Sequence, residues 1–524
     1  MKRLLGISVF IILTIAQANA YDFDALNNDG VRIYYAFQGG SGNRVMVVSR
    51  EGIFPTYSGV VNIPESVTYE GVKYDLEVIG EGAFERCPEL TEVILPPTIK
   101  TIRERAFSQC EKLKKINFPD KITSIRYRAF SDCSSLKTAS FGENLSEIGM
   151  SAFNQCTSLE SIAFGNKISL IDLGCFYGCH ELKNVILPES LTEIGESAFL
   201  ACALTNITIP NSVKTIGNSA FKNCNKLEQV VIGDNVSFIG RSAFSYCIGL
   251  KQFVVSGKNN KYSSENGMLV NKDKTTLVIF PGGKSISEIP SSITIIGESA
   301  FAESNFTEIT LPANIDSIGP TAFYNCSKLE SVTLPENLRI IADSAFHLNY
   351  SLKYIVIPDN VISIGEEAFS RCGGLGGLII GMNIKKIGNK AFTETRISSF
   401  YNRNPVPQVI EGSGLESLSY NAILHVPKGS LNLYKNSISW SKFYTITEDE
   451  YIVANDNVAK ENIIISNTAN GINVSSSSPA TVIVYSISGQ MVYKQHMRDR
   501  LDIQLKRGLY IVKAGDITKK VFVK

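Results

Sequence analysis

Hydrophobic residues recur along this chain at a long and regular interval. An Ala-Phe pair returns every 23 residues, occasionally every 22, with a single gap of 57 residues between Phe244 and Phe301. In one repeat, Cys175-Phe176 stands in place of Ala-Phe. The thirteen phenylalanines at this position are Phe84, Phe107, Phe130, Phe153, Phe176, Phe199, Phe221, Phe244, Phe301, Phe323, Phe346, Phe369 and Phe392. A fixed period of this length is typical of proteins built from stacked structural repeats.

One repeat, residues 182–202, illustrates the pattern of elements. Its first half, Leu-x-x-Val-x-Leu-Pro at 182–188, alternates between hydrophobic and polar positions and predicts a short strand. The strand should stop at Pro188, because proline cannot donate a hydrogen bond to a β-ladder. The second half, residues 191–199, predicts a second short extended or turn segment followed by a helical turn.

Glycine follows the isoleucine of this second half in nine repeats, for example at Gly149, Gly217 and Gly365. The other four repeats carry a residue with a side chain there, namely Arg103, Arg126, Asp172 and Ala342. The bend at this position should therefore form without a positive φ, or else be strained in those four repeats.

A repeat of about 23 residues cannot enclose its own core. When such repeats stack, each Leu, Val, Ile and Phe lies above its equivalent, and a continuous apolar column forms. We therefore predict a repeat solenoid of the leucine-rich-repeat type, right-handed and rich in β-structure, with a small C-terminal β-sandwich.

The cysteines follow the same register. Ten of the eleven lie three residues after the repeat phenylalanine, where the other three repeats carry Ser304, Asn349 and Thr395. A small side chain that faces a backbone group inside the turn accounts for all four residue types. Stacked equivalents point in parallel, which disfavours disulfides, so we predict buried free thiols. Cys175 and Cys179 form the exceptional C-x₃-C pair; replacement of the small Ala by Cys175 is favoured over a redox, disulfide or zinc role.

After residue 20, the chain is predicted to form four segments, one of which contains an insert. Residues 21–75 predict a β-rich N-terminal cap, and residues 76–396 the leucine-rich repeat solenoid. A hairpin is predicted within an insert at about 256–285, which either projects from the array or bridges two half-arrays. Residues 397–450 predict a C-terminal cap containing Trp440, and residues 455–524 a small β-sandwich made of closely spaced short strands.

The N-terminus predicts export. Residues 1–20 combine a basic start at Lys2 and Arg3, an apolar run over 4–15 and the small-x-small sequence Ala18-Asn19-Ala20, as in a cleaved signal peptide. The run is too short for an ordinary transmembrane helix, although an N-terminal membrane anchor is the alternative. Tyr21 follows the expected cleavage site where a lipoprotein would have cysteine. No later segment is long and apolar enough to span a membrane.

Composition argues against several classes of function. The net charge is +1, from 51 basic and 50 acidic residues, which predicts no nucleic-acid binding. The four histidines (His180, His347, His425 and His496) are far apart in sequence, so we predict no metal site and no cofactor. Since no catalytic motif is present either, we predict a binding protein and not an enzyme.

A candidate binding face follows from the strand pattern. In Leu-x-x-Val-x-Leu, the third and fifth positions should point away from the core, onto the open strand surface. Candidate residues on this face are Asn184, Asn206, Gln229, Gln252, Glu308, Tyr354 and Tyr401. The two tyrosines would be the anchors of an extended protein-binding surface. Alternatively, β-branched residues there simply suit a strand.

The repeat, written I-x-x-I-G-x-x-A-F-x-x-C-x-x-L-x-x-I-x-I-P, resembles the BspA-like leucine-rich repeat family over about residues 76–396. Residues 260–267 and 426–430 are similar to that family's insert and C-terminal cap. The resemblance implies an exported or surface-displayed bacterial protein, of the Bacteroidetes type, that adheres to host matrix proteins or to other cells.

The C-terminal segment resembles type IX secretion sorting domains, through residues 485–490, 508–512 and 521–524. Its alternative interpretation is a purely structural β-domain. Together these features predict an exported or cell-surface protein-binding and adhesion module, whose partner is an extracellular protein. The alternatives are a glycan-binding module for nutrient capture and a structural spacer without a ligand of its own.

Overall fold

The computed structural model describes residues 21–39, 42–49, 56–284, 289–412, 415, 422–449, 464–468, 471–475, 480–487, 490–498, 500–514 and 517–523. The proposed signal peptide lies outside these residues. The chain forms two compact units that divide between Ala203 and Leu204.

The first unit consists of short strands joined by turns. In chain order its strands are β1 (Phe23–Leu26), β2 (Arg32–Phe37), β3 (Arg44–Val47), β4 (Gly59–Asn62), β5 (Ser66–Tyr69), β6 (Val72–Ile79), β7 (Leu90–Ile94), β8 (Thr101–Ile102), β9 (Lys115–Ile116), β10 (Ser124–Ile125), β11 (Thr138–Ser140), β12 (Glu147–Ile148), β13 (Ser161–Ala163), β14 (Leu170–Ile171), β15 (Asn184–Val185) and β16 (Glu193–Ile194).

The second unit continues the same architecture and adds a terminal β-domain. Its array strands are β17 (Asn206–Thr208), β18 (Thr215–Ile216), β19 (Gln229–Ile232), β20 (Phe238–Ile239), β21 (Gln252–Val255), β22 (Tyr262–Glu265), β23 (Met268–Asn271), β24 (Thr276–Ile279), β25 (Ile295–Ile296), β26 (Glu308–Thr310), β27 (Ser317–Ile318), β28 (Ser331–Thr333), β29 (Ile340–Ile341), β30 (Tyr354–Val356), β31 (Ser363–Ile364), β32 (Gly377–Ile380), β33 (Lys386–Ile387), β34 (Ser399–Asn402), β35 (Val409–Ile410), β36 (Ile423–Pro427) and β37 (Thr445–Asp449).

Helix α1 (Leu431–Lys435) and a 3₁₀ helix (Trp440–Lys442) lie between β36 and β37. The remaining strands are β38 (Ile464–Thr468), β39 (Gly471–Ser475), β40 (Ala480–Ser486), β41 (Met491–Met497), β42 (Arg500–Gln504), β43 (Gly508–Ala514) and β44 (Ile517–Val523). They form two antiparallel sheets, β38-β39-β42 and β41-β40-β43-β44, which share one apolar core.

Each repeat forms one coil that contributes two strands to two separate parallel ladders. In the first unit, the second strands pair in the order β6-β8-β10-β12-β14-β16, and the first strands form β4-β7-β9 and β11-β13-β15. The register carries each residue onto its equivalent, as Ile125 pairs with Ile102 on one side and Ile148 on the other. The prediction of a 23-residue leucine-rich-repeat solenoid is therefore confirmed.

The repeat phenylalanines form an internal column in each unit. In the first unit, Phe107 stacks on Phe84 and on Phe130 with ring centroids 5.0 and 5.1 Å apart. In the second unit, Phe323 stacks on Phe301 and on Phe346 at 4.9 Å each. All six rings are buried, so these columns are the core that a single repeat cannot provide.

The segment around each phenylalanine differs from the prediction, because it is a succession of β-turns and not a helical turn. The residues two before and two after the phenylalanine have left-handed backbones, for example Ser151 and Gln155 around Phe153 with φ of 56° and 58°. Their backbone amides donate to the next coil, at 2.8 Å to Leu173 and 2.7 Å to Tyr177. These inter-coil bonds hold a conformation that non-glycine residues otherwise avoid.

The glycine after the isoleucine serves a different purpose. Gly149 and Gly365 do not have positive φ, which confirms that the bend forms without it. A Cβ atom on Gly365 would instead lie 2.5 Å from the carbonyl carbon of Ala342, in the coil before. Close backbone approach between coils therefore selects glycine here.

The eleven cysteines are free and buried, as predicted. Eight thiols at the recurrent position donate to the carbonyl oxygen of the phenylalanine one coil earlier, as Cys110 does to Phe84 at 3.0 Å and Cys326 to Phe301 at 3.1 Å. Asn349 replaces the thiol and donates to Phe323 O at 2.9 Å. Cysteine and asparagine at this position therefore share one function, which is to satisfy a buried carbonyl of the coil before.

The insert belongs to the wall of the array and does not project from it. Strands β22, β23 and β24 form an antiparallel meander that contains the predicted hairpin, and β24 then pairs in parallel with β25, the second strand of the next coil. Beyond the last coil, the buried indole of Trp440 donates to Gln408 O at 3.0 Å.

Candidate functional site

The first strands of the coils place alternate side chains outside the array. Strands β11, β13, β17 and β26 each bury their central residue and expose the two that flank it. This alternation follows from the period of two in a strand that is buried on one face. We call the outward-facing side chains of the first strands the strand face.

The predicted binding residues lie on the strand face, but they differ in exposure. Asn184, Asn206, Gln252 and Glu308 are exposed, and Gln229 and Tyr354 are half-buried. Tyr401 is only 4% exposed. The expectation that Tyr401 stands on an open surface is therefore wrong.

The terminal β-domain covers Tyr401. Ile487 and Ile511 of that domain pack against a small apolar cluster formed by Tyr401, Ile379 and Val356. Tyr401 also stacks on His425 of the following coil, with centroids 4.2 Å apart. Strands β32 and β34 are consequently buried on both faces.

The same contact extends to Tyr354 and Glu308. The guanidinium of Arg507, in the terminal domain, forms an ion pair with Glu308. Burial raises the pKa of Tyr354 to about 12. Both groups were predicted to be available for a ligand, but in the structure they face another part of the same chain.

In the first unit the strand face is open. Four residues that sequence reasoning did not select lie there in the same register: Thr138, Ser140, Ser161 and Ala163 are all exposed and flank the buried residues of β11 and β13. Their repeats follow the same leucine pattern, which would have identified them. Beside them, Ile186 is 85% exposed, an unusual apolar side chain on a polar surface.

Polar contacts along the open face run between coils. Lys115 Nζ lies 2.7 Å from Glu92 Oε1 one coil earlier. The Asn117 side chain bonds both backbone groups of Leu95, at 2.7 and 2.8 Å. Such exposed ion pairs add little stability. These contacts connect outward side chains of one coil to the coil before it.

The buried thiols are poorly suited to nucleophilic chemistry. Burial raises the pKa of Cys326 and of Cys372 to about 12, so both stay protonated at neutral pH. Within the described residues, no group of three or more His, Cys, Asp or Glu side chains is placed to hold a metal ion. The described part of the chain also contains no helix with the length and apolar character needed to cross a bilayer.

Comparison with known proteins gives a match to the BspA type leucine-rich repeat region, in six copies, over residues 65–179, 146–266 and 284–398. No curated protein matches the sequence significantly.

Several solved structures match this chain over most of their own length. A leucine-rich cell surface protein from Faecalibacterium prausnitzii is 25% identical, with 71% of this chain and 92% of that chain covered and a TM-score of 0.49. The pneumococcal vaccine antigen PcpA is 20% identical, with 82% and 99% covered and a TM-score of 0.47. A leucine-rich repeat protein from Bacteroides ovatus is 25% identical, with 82% and 100% covered and a TM-score of 0.40. Because the repeat match spans more than half of the sequence, this chain belongs to the BspA-type leucine-rich repeat family.

Proposed function

We propose that this protein is an exported or cell-surface module that binds an extracellular protein through its open strand face, and that it acts in adhesion. The observation that carries the proposal is the alternating exposure of β11 and β13, which presents a row of small, mostly polar side chains on a parallel ladder. Solenoids commonly use such extended surfaces for protein recognition.

The composition of the open face supports a protein partner. Isolated apolar side chains, Ile94 and Ile186, are exposed among polar neighbours. Protein interfaces combine an apolar anchor with a polar rim in this way. The two tyrosines that would favour a glycan platform are half-buried and buried, so the surface offers little aromatic area for a sugar ring.

Binding of the purified chain to immobilised matrix proteins (fibronectin, laminin and collagen) and to intact cells tests the proposal. The double variant Asn184→Arg, Ile186→Arg should weaken binding at least about tenfold, which corresponds to about 1.4 kcal/mol. Glu193→Arg is the matched control, because Glu193 is exposed on the second strand of the same coil. Equal binding by all three proteins would refute the strand face as the site.

We also propose that residues 1–20 direct export and that residues 455–524 act as a sorting domain. N-terminal sequencing of the exported protein should begin at Tyr21. Fusion of residues 455–524 to a reporter should carry the reporter to the cell surface in a type IX-competent host. Retention of the fusion in the periplasm would instead favour the alternative, in which residues 455–524 form a purely structural β-domain.

A further inference from the structure

The regular array is interrupted once within the second unit, between the coils of Phe244 and Phe301. The insert restores the phenylalanine column there, because Phe280 lies 5.0 Å from Phe301 and its amide donates to Ala300 O at 3.0 Å. Before Phe280, however, strand β24 runs directly into the phenylalanine, without the turn residues that precede every other repeat phenylalanine in the array.

A cleft occupies the place of this turn. It has a volume of about 720 Å³ and lies between the turn at residues 240–248 and the turn at residues 297–305. That volume is within the range of about 300–1,000 Å³ found for ligand pockets. The cleft is on the turn side of the coils and is therefore distinct from the strand face. Two contacts cross it, Ser245 Oγ to Ala302 O at 3.3 Å and Arg241 to Glu298 Oε1 at 2.9 Å, and a ligand seated between the turns displaces them.

One wall of the cleft carries three unused backbone donors. In the coil before, the amides of Ser219, Phe221 and Asn223 donate to the carbonyls of the next turn at 3.0, 2.8 and 2.8 Å. At the cleft, the equivalent amides are those of Ser242, Phe244 and Tyr246, and none of them has a hydrogen-bond acceptor among the described residues. Each of these amides is a hydrogen-bond donor that a ligand in the cleft can use.

The opposite wall carries an unused acceptor. Glu303 is only 6% exposed. Its Oε1 accepts from Lys222 Nζ at 2.7 Å, while its buried Oε2 has no partner in the described structure. A buried carboxylate oxygen without a donor is costly, and a ligand that supplies an N–H group would relieve that cost.

The regular coils show which ligand fits the three donors. In the regular turns around Phe221, Phe301, Phe323, Phe346 and Phe369 they are met by three carbonyl oxygens of the next coil, two residues apart, as in the pairing of 219, 221 and 223 with Arg241, Ala243 and Ser245. We propose that the cleft is a second binding site, which takes a segment of a partner polypeptide in the position of the missing turn. The segment's carbonyls accept from the three amides, and a lysine or arginine side chain donates to Glu303 Oε2. This is backbone addition of the kind that unpaired edges promote.

The test uses the full chain and a fluorescein-labelled heptapeptide, Ala-Lys-Ala-Lys-Ala-Lys-Ala, measured by fluorescence anisotropy. The peptide should bind saturably, and the same peptide with Glu in place of Lys should bind at least tenfold more weakly. An analogue in which ester links replace the amides at alanine has weaker carbonyl acceptors and should also lose at least tenfold.

Two pairs of variants locate the site. Glu303→Gln should weaken binding of the lysine peptide about tenfold and remove its advantage over the glutamate peptide. Asp132→Asn, at the same repeat position with a left-handed backbone but in a fully bonded turn, should change nothing. Ser242→Trp should block the cleft and abolish binding, whereas Ser344→Trp, the matched position in a fully bonded turn, should not.

Hydrogen exchange reports directly on the donors and does not depend on any variant that might misfold. Addition of the lysine peptide should slow exchange of the amides at 242, 244 and 246 and leave those at 219, 221 and 223 unchanged. Absence of saturable binding up to millimolar peptide, or equal binding by wild type and Ser242→Trp, would overturn the proposal. Neither result would bear on the strand face.

Discussion

The strand face of the first unit and that of the last coils of the second unit share one repeat but have opposite surroundings. In β11 and β13 the outward residues are threonine, serine and alanine, and all are exposed. In β32 and β34 every residue is buried, because the terminal β-domain packs against Ile379 and Tyr401. Outward apolar side chains are therefore buried only where the terminal β-domain covers them, as Ile379 is, whereas Ile186 at the same repeat position is exposed.

The interiors of the two regions are, by contrast, equivalent. Phe130 and Phe153 stack at 5.0 Å in the first unit, and Phe346 and Phe369 at 5.1 Å in the second. The repeat therefore maintains its core independently of what lies on the strand face. Any difference in behaviour between the regions should come from the outward positions alone.

The largest expected effect is on the shared core. Phe153→Ala and Phe346→Ala should each lower the free energy of unfolding by about 3–5 kcal/mol, because each leaves a cavity in a fully buried column. Urea denaturation followed by circular dichroism measures this. Phe238→Ala is the control, since Phe238 is 53% exposed and should cost less than about 0.5 kcal/mol. A large difference between the two core variants would contradict the equivalence of the interiors.

The sharpest test of the outward positions compares two isoleucines at the same repeat position. Ile379 is 1% exposed beneath the terminal domain, and Ile186 is 85% exposed. Ile379→Ala should cost about 2–3 kcal/mol, whereas Ile186→Ala should remain within about 0.5 kcal/mol of wild type.

In a chain that ends at residue 454, the cover over Ile379 is removed and the two substitutions should have similar small effects. Thermal unfolding of the four proteins provides the comparison. A large effect of Ile379→Ala that persists in the shortened chain would mean that the array itself, and not the terminal domain, buries this side chain.

The buried thiols should respond to pH alike in both regions. An ordinary thiol has a pKa of about 8.5, whereas burial raises the pKa of Cys326 and Cys372 to about 12. The folded state therefore binds the thiol proton more tightly than the unfolded state. This contribution to stability is complete below about pH 8.5 and is lost as the pH rises toward 12.

Urea midpoints measured from pH 7 to 11 should accordingly fall above about pH 8.5, and Cys326→Ala with Cys372→Ala should reduce the slope. Burial also raises the pKa of Cys156 and Cys179 in the first unit, so iodoacetamide should leave these thiols unmodified in the folded protein. Rapid alkylation in only one unit would show that its interior is looser.

The smallest expected effect concerns two exposed ion pairs. Arg507 of the terminal β-domain pairs with Glu308 of the array, and Lys115 pairs with Glu92 on the open strand face. Because the paired side chains are substantially solvent-exposed, a double-mutant cycle should give about 0.2–1 kcal/mol for each. A coupling energy well above this for Arg507 and Glu308 would mean that the ion pair, more than the apolar cluster, holds the terminal domain in place.

The period of 23 residues, the phenylalanine column and the free thiols could all be predicted from the sequence. Each depends on one residue type that returns at one position, and stacking in register then determines its neighbour, as for Cys110 and the carbonyl of Phe84. The exposed rows at β11 and β13 follow from the same register. The conformation of the turns could not be predicted, because hydrogen bonds to the next coil impose left-handed backbones on serine and glutamine.

The sequence by itself therefore determined which side chains point inward and which point outward in every coil. Only the tertiary structure decided which outward positions remain open and where a turn is missing. Lys222 meets Glu303 across 81 residues of chain, and Arg507 meets Glu308 across 199. No local pattern encodes such contacts, because they arise between segments whose separation is set by an insert and by a terminal domain outside the repeat.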